Sequence, residues 1–209
     1  MDALAPTLTV ATLVPLAMFS FVSSITPGPN NVMLTASGAT FGFRRTLPHL
    51  LGISLGCALM MLLVGSGLGS AFSTWPWLYT LLQIVGGAYL LWLTWKIAHA
   101  TGVQQGQAGS KPFSFWQAAA FQWVNPKAWL MTVGIIAAYT PQDSFVANLL
   151  LATVVLTLIN LPCISVWALF GSAVGRLLRT PQALRWFNYG MAFLLLLSLY
   201  PMAKELLGY

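Results

Sequence analysis

The residues able to bind or carry charge gather in two short stretches, Ser24-Ile25-Thr26-Pro27-Gly28-Pro29-Asn30-Asn31 and Trp123-Val124-Asn125-Pro126-Lys127-Ala128-Trp129, each inside a long apolar run. Proline lacks a backbone N–H and clashes with the preceding turn, so each stretch should break a helix, freeing carbonyls on one side and N–H groups on the other. In lipid such groups need another partner. A zwitterion would supply one. Its carboxylate suits the positive start of a half-helix, and its ammonium suits free carbonyls and the side chains of Asn30 or Asn125. Lys127 is the only charge assigned to membrane depth, where a cation at a helix centre costs about 2.5 to 3.5 kcal/mol on insertion scales. That cost points to a role in holding a carboxylate or carrying a proton, the bland alternative being a lysine that snorkels to the surface as an anchor. The candidate substrate-binding residues are Thr26, Pro27, Gly28, Pro29, Asn30, Asn31, Gln122, Asn125, Pro126 and Lys127.

The elements that must position these residues follow from composition. Of 209 residues 58% are hydrophobic and 6% charged, against roughly 25% charged in soluble domains. The chain reads as an all-α integral membrane protein. Its net charge of +6 comes from basic residues scattered singly or in pairs, which argues against nucleic acid as a partner and for a topological role. No cleavable signal peptide is expected, because Met1-Asp2 offers no basic n-region.

A crossing needs about 20 mostly apolar residues. The charge-free gaps predict six transmembrane helices: Leu8 to Ile25, Leu50 to Gly69, Trp77 to Lys96, Phe115 to Tyr139, Phe145 to Phe170 and Trp186 to Leu206. Six crossings put Arg44, Arg45, Lys96, Lys111, Arg176, Arg179 and Arg185 on one side, and Asp2, Asp143, Lys204 and Glu205 on the other. The positive-inside rule makes the first side cytoplasmic and leaves both termini outside.

Three crossings per half turn the second half upside down relative to the first, an inverted 3+3 repeat with a broken first helix in each half. The expected division is residues 1–104, a cytoplasmic linker at 105–113 and residues 114–209. Asn30 lies 14 residues before Arg44 (44 − 30) and Asn125 lies 14 after Lys111 (125 − 111). Paired breaks at mirrored positions are the best sequence pointer to a transporter binding site.

Other polar residues read more blandly. Cys57 and Cys163 are expected to be inert small hydrophobes, and no residue set suggests a metal or cofactor. His49 and His99 fall near predicted cytoplasmic boundaries, where interfacial histidines are ordinary. Trp75, Trp77, Trp92, Trp95, Trp116, Trp186 and Tyr209 read as an interfacial belt. Gly52-x-x-x-Gly56, Gly65-x-Gly67-x-Gly69 and Gly171-x-x-x-Gly175 allow close helix approach, within one chain or across a homodimer. Ser20, Ser23, Ser24 and Thr26 either line a cavity or bond back to their own helix. With no Asp or Glu predicted within the membrane, small neutral amino acids fit better than cationic ones, and protons as coupling ion would need Lys127 or His49.

TPGPNN followed by GFR, Gly52-Ile53-Ser54-Leu55-Gly56, Gly86-Gly87-Ala88-Tyr89-Leu90-Leu91-Trp92-Leu93 and FQWVNPKAW together resemble the LysE/RhtB family of bacterial amino-acid exporters over nearly the whole chain. The WKIA stretch at Trp95 to Ala98 and KPFSFWQAAAFQ at Lys111 to Gln122 look most like the branch that exports cysteine and O-acetylserine. The resemblance implies export from the cytoplasm driven by the proton-motive force, and marks Pro27, Gly28, Pro29, Asn30, Asn125, Pro126 and Lys127 as family motif positions. Threonine or homoserine are alternative substrates, and an exporter of another small polar solute is the main rival. A membrane thiol electron carrier using Cys57 and Cys163 is a distant one, since the two cysteines do not occupy equivalent repeat positions. An enzyme is not expected, because the spans offer neither a carboxylate pair nor a His/Asp couple.

Overall fold

The computed structural model describes residues 8–75, 77–99, 111–178, 180–200 and 203–204. Asp2, Arg179, Glu205, Tyr209, residues 100–110 of the glycine-rich loop with most of the expected linker, and the end of the sixth expected crossing lie outside these. The described chain is helical: α1 Val10–Ile25, α2 Pro29–Phe41, α3 Phe43–Leu63, α4 Gly69–Thr74, α5 Trp77–Ala98, α6 Phe115–Phe121, α7 Pro126–Tyr139, α8 Phe145–Leu177 and α9 Pro181–Ser198.

Proline and glycine set the joints. Pro29 and Pro126 occupy the first turn of α2 and α7, where a missing N–H costs nothing. Gly42 alone links α2 to α3 at φ +79°, a left-handed conformation that disfavours any side chain. A π-helical turn at Val64–Leu68 joins α3 to α4, with Gly67 at φ +113°. Ser114 starts α6 with a capping box to Gln117, and a 3₁₀ turn at Gln122–Val124 leads into the second break.

Phe43–Leu68, Thr80–Ala98 and Phe145–Leu177 are each long and apolar enough to cross a membrane, and α1 with α2, bent by 52° at their joint, makes a fourth candidate. The first expected crossing corresponds to α1, from which the chain continues through the bend into α2 as far as Phe41, and the helix of the second begins at Phe43 instead of Leu50. Among the described residues, the helices of the fourth and sixth expected crossings do not by themselves meet that test of length and composition. The fourth is divided into helices of 7 and 14 residues. The 18 residues of α9 include the polar turn Pro181 to Arg185.

The core lies among α1, α2, α3, α6, α7 and α8, around residues such as Leu16, Leu34, Ile53, Met60, Ile135 and Leu156. A smaller cluster of Val32, Met33, Leu90, Leu93, Phe121, Leu195 and Leu199 seats the α5–α9 pair on its flank. Outward faces are apolar: Leu47, Leu51, Leu55, Leu59 and Leu63 form an exposed stripe along α3, which suits lipid rather than water. The tryptophans expected as a belt are all exposed, whereas Trp129 and Trp167 turn inward and donate to backbone carbonyls.

Glycine fixes which helices touch. A Cβ at Gly171 or Gly175 would overlap the Thr35 or Ala39 carbonyl oxygen of α2, and one at Gly38 would overlap that of Ala168 in α8. Gly52 and Gly56 of α3 meet Phe115, Ala118 and Ala119 of α6 in the same way. Both motifs thus act within one chain. The third is looser: a Cβ at Gly65 would press on the flexible end of the Leu149 side chain, one at Gly67 would meet nothing, and one at Gly69 would meet its own Val64.

Candidate functional site

The 16 residues of α1 end at Ile25, and the break that follows leaves several carbonyls without helical partners. Each is met by a side chain from elsewhere. Asn31 Nδ2 donates to the carbonyls of Ser24 (2.9 Å) and Thr26 (2.7 Å). Trp167 Nε1 of α8 donates to that of Ile25 at 3.0 Å. Lys127 Nζ donates to the Thr26 carbonyl (2.7 Å), to Thr26 Oγ1 (2.9 Å) and to the Pro27 carbonyl (3.2 Å). The sequence leads one to expect free carbonyls at this break, but in this conformation the protein's own donors occupy them.

Lys127 therefore ties the second break to the first. It stands in the first turn of α7, whose start is capped by Asn125 Oδ1 accepting from the Lys127 N–H at 3.2 Å, and its ammonium rests on the negative end of α1. Asn30 makes a second tie. Its amide and that of Gln122 exchange hydrogen bonds of 2.9 and 3.2 Å. Gln122, fully buried, also donates to the Ala118 carbonyl and accepts from Cys57 Sγ at 3.4 Å. From the flank, α5 comes close at Gly86, where a Cβ would overlap the Val124 carbonyl.

Between the breaks lies a cavity of about 30 Å³ lined by Ser23, Ser24, Gly28, Asn30, Asn31, Cys57, Asn125, Lys127, Ala128, Met131, Asn160 and Ile164. A water needs roughly 10 to 15 Å³ of such space, so the space between the breaks can take water but is too small for an amino acid. Five of the ten expected residues line it: Gly28, Asn30, Asn31, Asn125 and Lys127. Thr26 and Pro27 reach it through Lys127, Gln122 through Asn30, and Pro29 and Pro126 only start the helices that frame it.

Sequence reasoning missed Cys57 and Asn160. Asn160 lies amid apolar residues in the middle of α8; its Nδ2 donates to Ser24 Oγ at 3.0 Å, while its buried Oδ1 has no partner. An unpaired buried acceptor beside the cavity is suited to an incoming ammonium. The signal available in the sequence was an asparagine two residues before Pro162. The serine alternatives separate: Ser23 and Ser24 line the cavity, whereas Thr26 Oγ1 bonds back to the Val22 carbonyl at 2.8 Å.

Gly28 is required by packing alone, since its φ of −178° is ordinary extended backbone. A Cβ there would lie 2.7 Å from Lys127 Cδ and 3.2 Å from Nζ. Gly28→Ala should therefore fold normally while displacing the flexible lysine. Misplacement of a binding group by an ångström can cost about a hundredfold, and a drop in transport of at least about tenfold at unchanged membrane abundance is expected. Full transport by Gly28→Ala would show that the position of Lys127 is immaterial.

Comparison with known proteins bears on this geometry. Residues 21–199 match the family model described as LysE type translocator. The chain is 35% identical over 178 residues to a cysteine/O-acetylserine efflux protein of Escherichia coli strain K12, covering 85% of this chain and 90% of that protein. Proteins of the same description from Escherichia coli O157:H7 and Shigella flexneri serotype 5b match at the same identity and coverage. No solved structure gives a significant match.

Proposed function

The chain belongs to the LysE type translocator family, and from that premise we propose that it is an inner-membrane secondary exporter of small neutral amino acids or their derivatives. Substrates of the cysteine/O-acetylserine kind fit best, with threonine or homoserine next, and the proton-motive force as driver. Its relatives are named as efflux proteins, which argues against an enzyme. The observation that carries the reading is the meeting of both breaks at Lys127, with the Asn30–Gln122 amide pair beside it. A carboxylate can replace the carbonyls that now hold the ammonium, and the starts of α2 and α7 add positive potential.

The packing supports an inverted repeat. The first half-helix of each broken span packs on the long helix of the other half, α1 on α8 and α6 on α3. The flanking helices α5 and α9 pack on each other. Such exchange follows if α1–α2, α3 and α5 correspond to α6–α7, α8 and α9. On this reading the bent α1–α2 and α6–α7 each cross once, giving six crossings, a cytoplasmic face carrying Arg44, Lys96, Lys111 and Arg176, and both termini outside.

Cells expressing the chain should release O-acetylserine or cysteine into the medium faster than cells expressing Lys127→Met at equal abundance. Release no faster than from cells lacking the protein would remove the substrate assignment. The thiol-carrier alternative needs both cysteines, which are buried and free. Cys163→Ser should keep its export, and loss of export in that variant would revive the alternative.

A further inference from the structure

A second cavity, of about 1200 Å³, lies on the flank of the core. Its walls are the two half-helices that lead to the breaks: Met33, Ala36 and Thr40 form one face of α2, and Gln117, Phe121 and Val124 form one face of α6 and the turn after it. The third wall is α5. Met33 lies one turn from Asn30, and Phe121 precedes Gln122, so this cavity approaches the Asn30–Gln122 pair, whose Asn30 lines the small one. Among the described residues no Asp or Glu lines it, whereas Lys96, Lys111 and His99 do.

His49 provides an independent observation. The sequence suggested an ordinary interfacial histidine; instead it is 1% exposed, stacks on Phe113 with ring centroids 5.2 Å apart, and lines the cavity. Neither ring nitrogen has a hydrogen-bond partner. Native structures rarely leave such groups unpaired without a ligand or water to meet them.

We propose that this cavity is a second binding site, an entrance vestibule that receives a small amino acid by its carboxylate before it reaches the breaks. Lys96 and Lys111 supply the charge, and His49 the inner hydrogen bond. The amino acid then passes between α2 and α6 when the Asn30–Gln122 pair opens. The proposal rests on the export reading for its ligand and for calling this end cytoplasmic. An anionic lipid is the other ligand that basic pockets attract, and the test below separates it from a free amino acid.

The test uses Ala36→Cys as a reporter in inside-out vesicles, labelled by a membrane-impermeant maleimide against a background lacking the reporter. Labelling should be slowed about threefold or more by millimolar O-acetylserine or threonine, as binding in that range requires. Ethanolamine, which lacks the carboxylate, should not slow it. Protection should vanish in Lys111→Gln, an exposed position, and in His49→Phe, which keeps an aromatic ring against Phe113. Absence of protection, or equal protection by ethanolamine, overturns the vestibule. So does a labelling rate set by phosphatidylglycerol in reconstituted vesicles and indifferent to amino acids. Because labelling does not require transport, protection without export would sink only the export reading, and export without protection only the vestibule.

Discussion

Replacing Lys127 with methionine should abolish export while leaving the protein in the membrane at its usual abundance. Methionine keeps the unbranched stem but offers no donor to the Thr26 and Pro27 oxygens that Nζ now contacts at 2.7 to 3.2 Å. A hydrogen bond to a charged group is worth about 1.5 to 3 kcal/mol. Losing the contact to a substrate carboxylate alone therefore costs about ten- to a hundredfold, and losing the tie between the breaks as well takes the deficit to at least about a hundredfold. Insertion should not suffer, because removing a cation from membrane depth relieves a penalty of about 2.5 to 3.5 kcal/mol. Lys127→Arg should also be impaired, since a planar fork does not reproduce three convergent donors from one nitrogen. Normal export by Lys127→Met would reduce the residue to an anchor.

Gly171→Leu should prevent recovery of a folded protein. Even a Cβ at this position overlaps the Thr35 carbonyl oxygen, and a carbonyl within a helix cannot turn aside as a side chain can. Overpacking typically costs about 1 to 3 kcal/mol; separating α2 from α8 along Gly38, Gly171 and Gly175 should exceed that range. Gly190→Ala gives the opposite sign. Nothing lies within 4 Å of a Cβ there, so alanine in the middle of α9 should be neutral or stabilising by up to about 1 kcal/mol. The check is the yield of monodisperse protein in detergent and its melting temperature. A Gly171→Leu protein as stable as Gly190→Ala would mean that α2 and α8 are not packed as described.

The two breaks were legible in the sequence because Pro-Gly-Pro-Asn and Asn-Pro-Lys have no place in a regular apolar helix. The close approaches at Gly52, Gly56, Gly171 and Gly175 were legible for a similar reason, a small residue every fourth position. What the breaks do with their freed carbonyls was not, because Lys127 and Trp167 are 101 and 142 residues from the oxygens they meet. Nor were the span limits: hydropathy sees Ile25 to Pro29 as an end, whereas the chain turns by 52° and continues. His49 and Asn160 each look like one polar residue in a run of apolar ones, and only their neighbours in space distinguish an interfacial residue from an unpaired buried one.

The central claim, that the paired breaks form an export site for a small neutral amino acid, is tested most directly by uptake into inside-out vesicles. Labelled cysteine, O-acetylserine, threonine and leucine are offered with the membrane energised and then uncoupled, against vesicles lacking the protein and vesicles carrying Lys127→Met. Accumulation of O-acetylserine or cysteine that collapses with the uncoupler and is missing in Lys127→Met is the predicted result. Accumulation that Lys127→Met retains in full, or none of any of the four substrates, would contradict it.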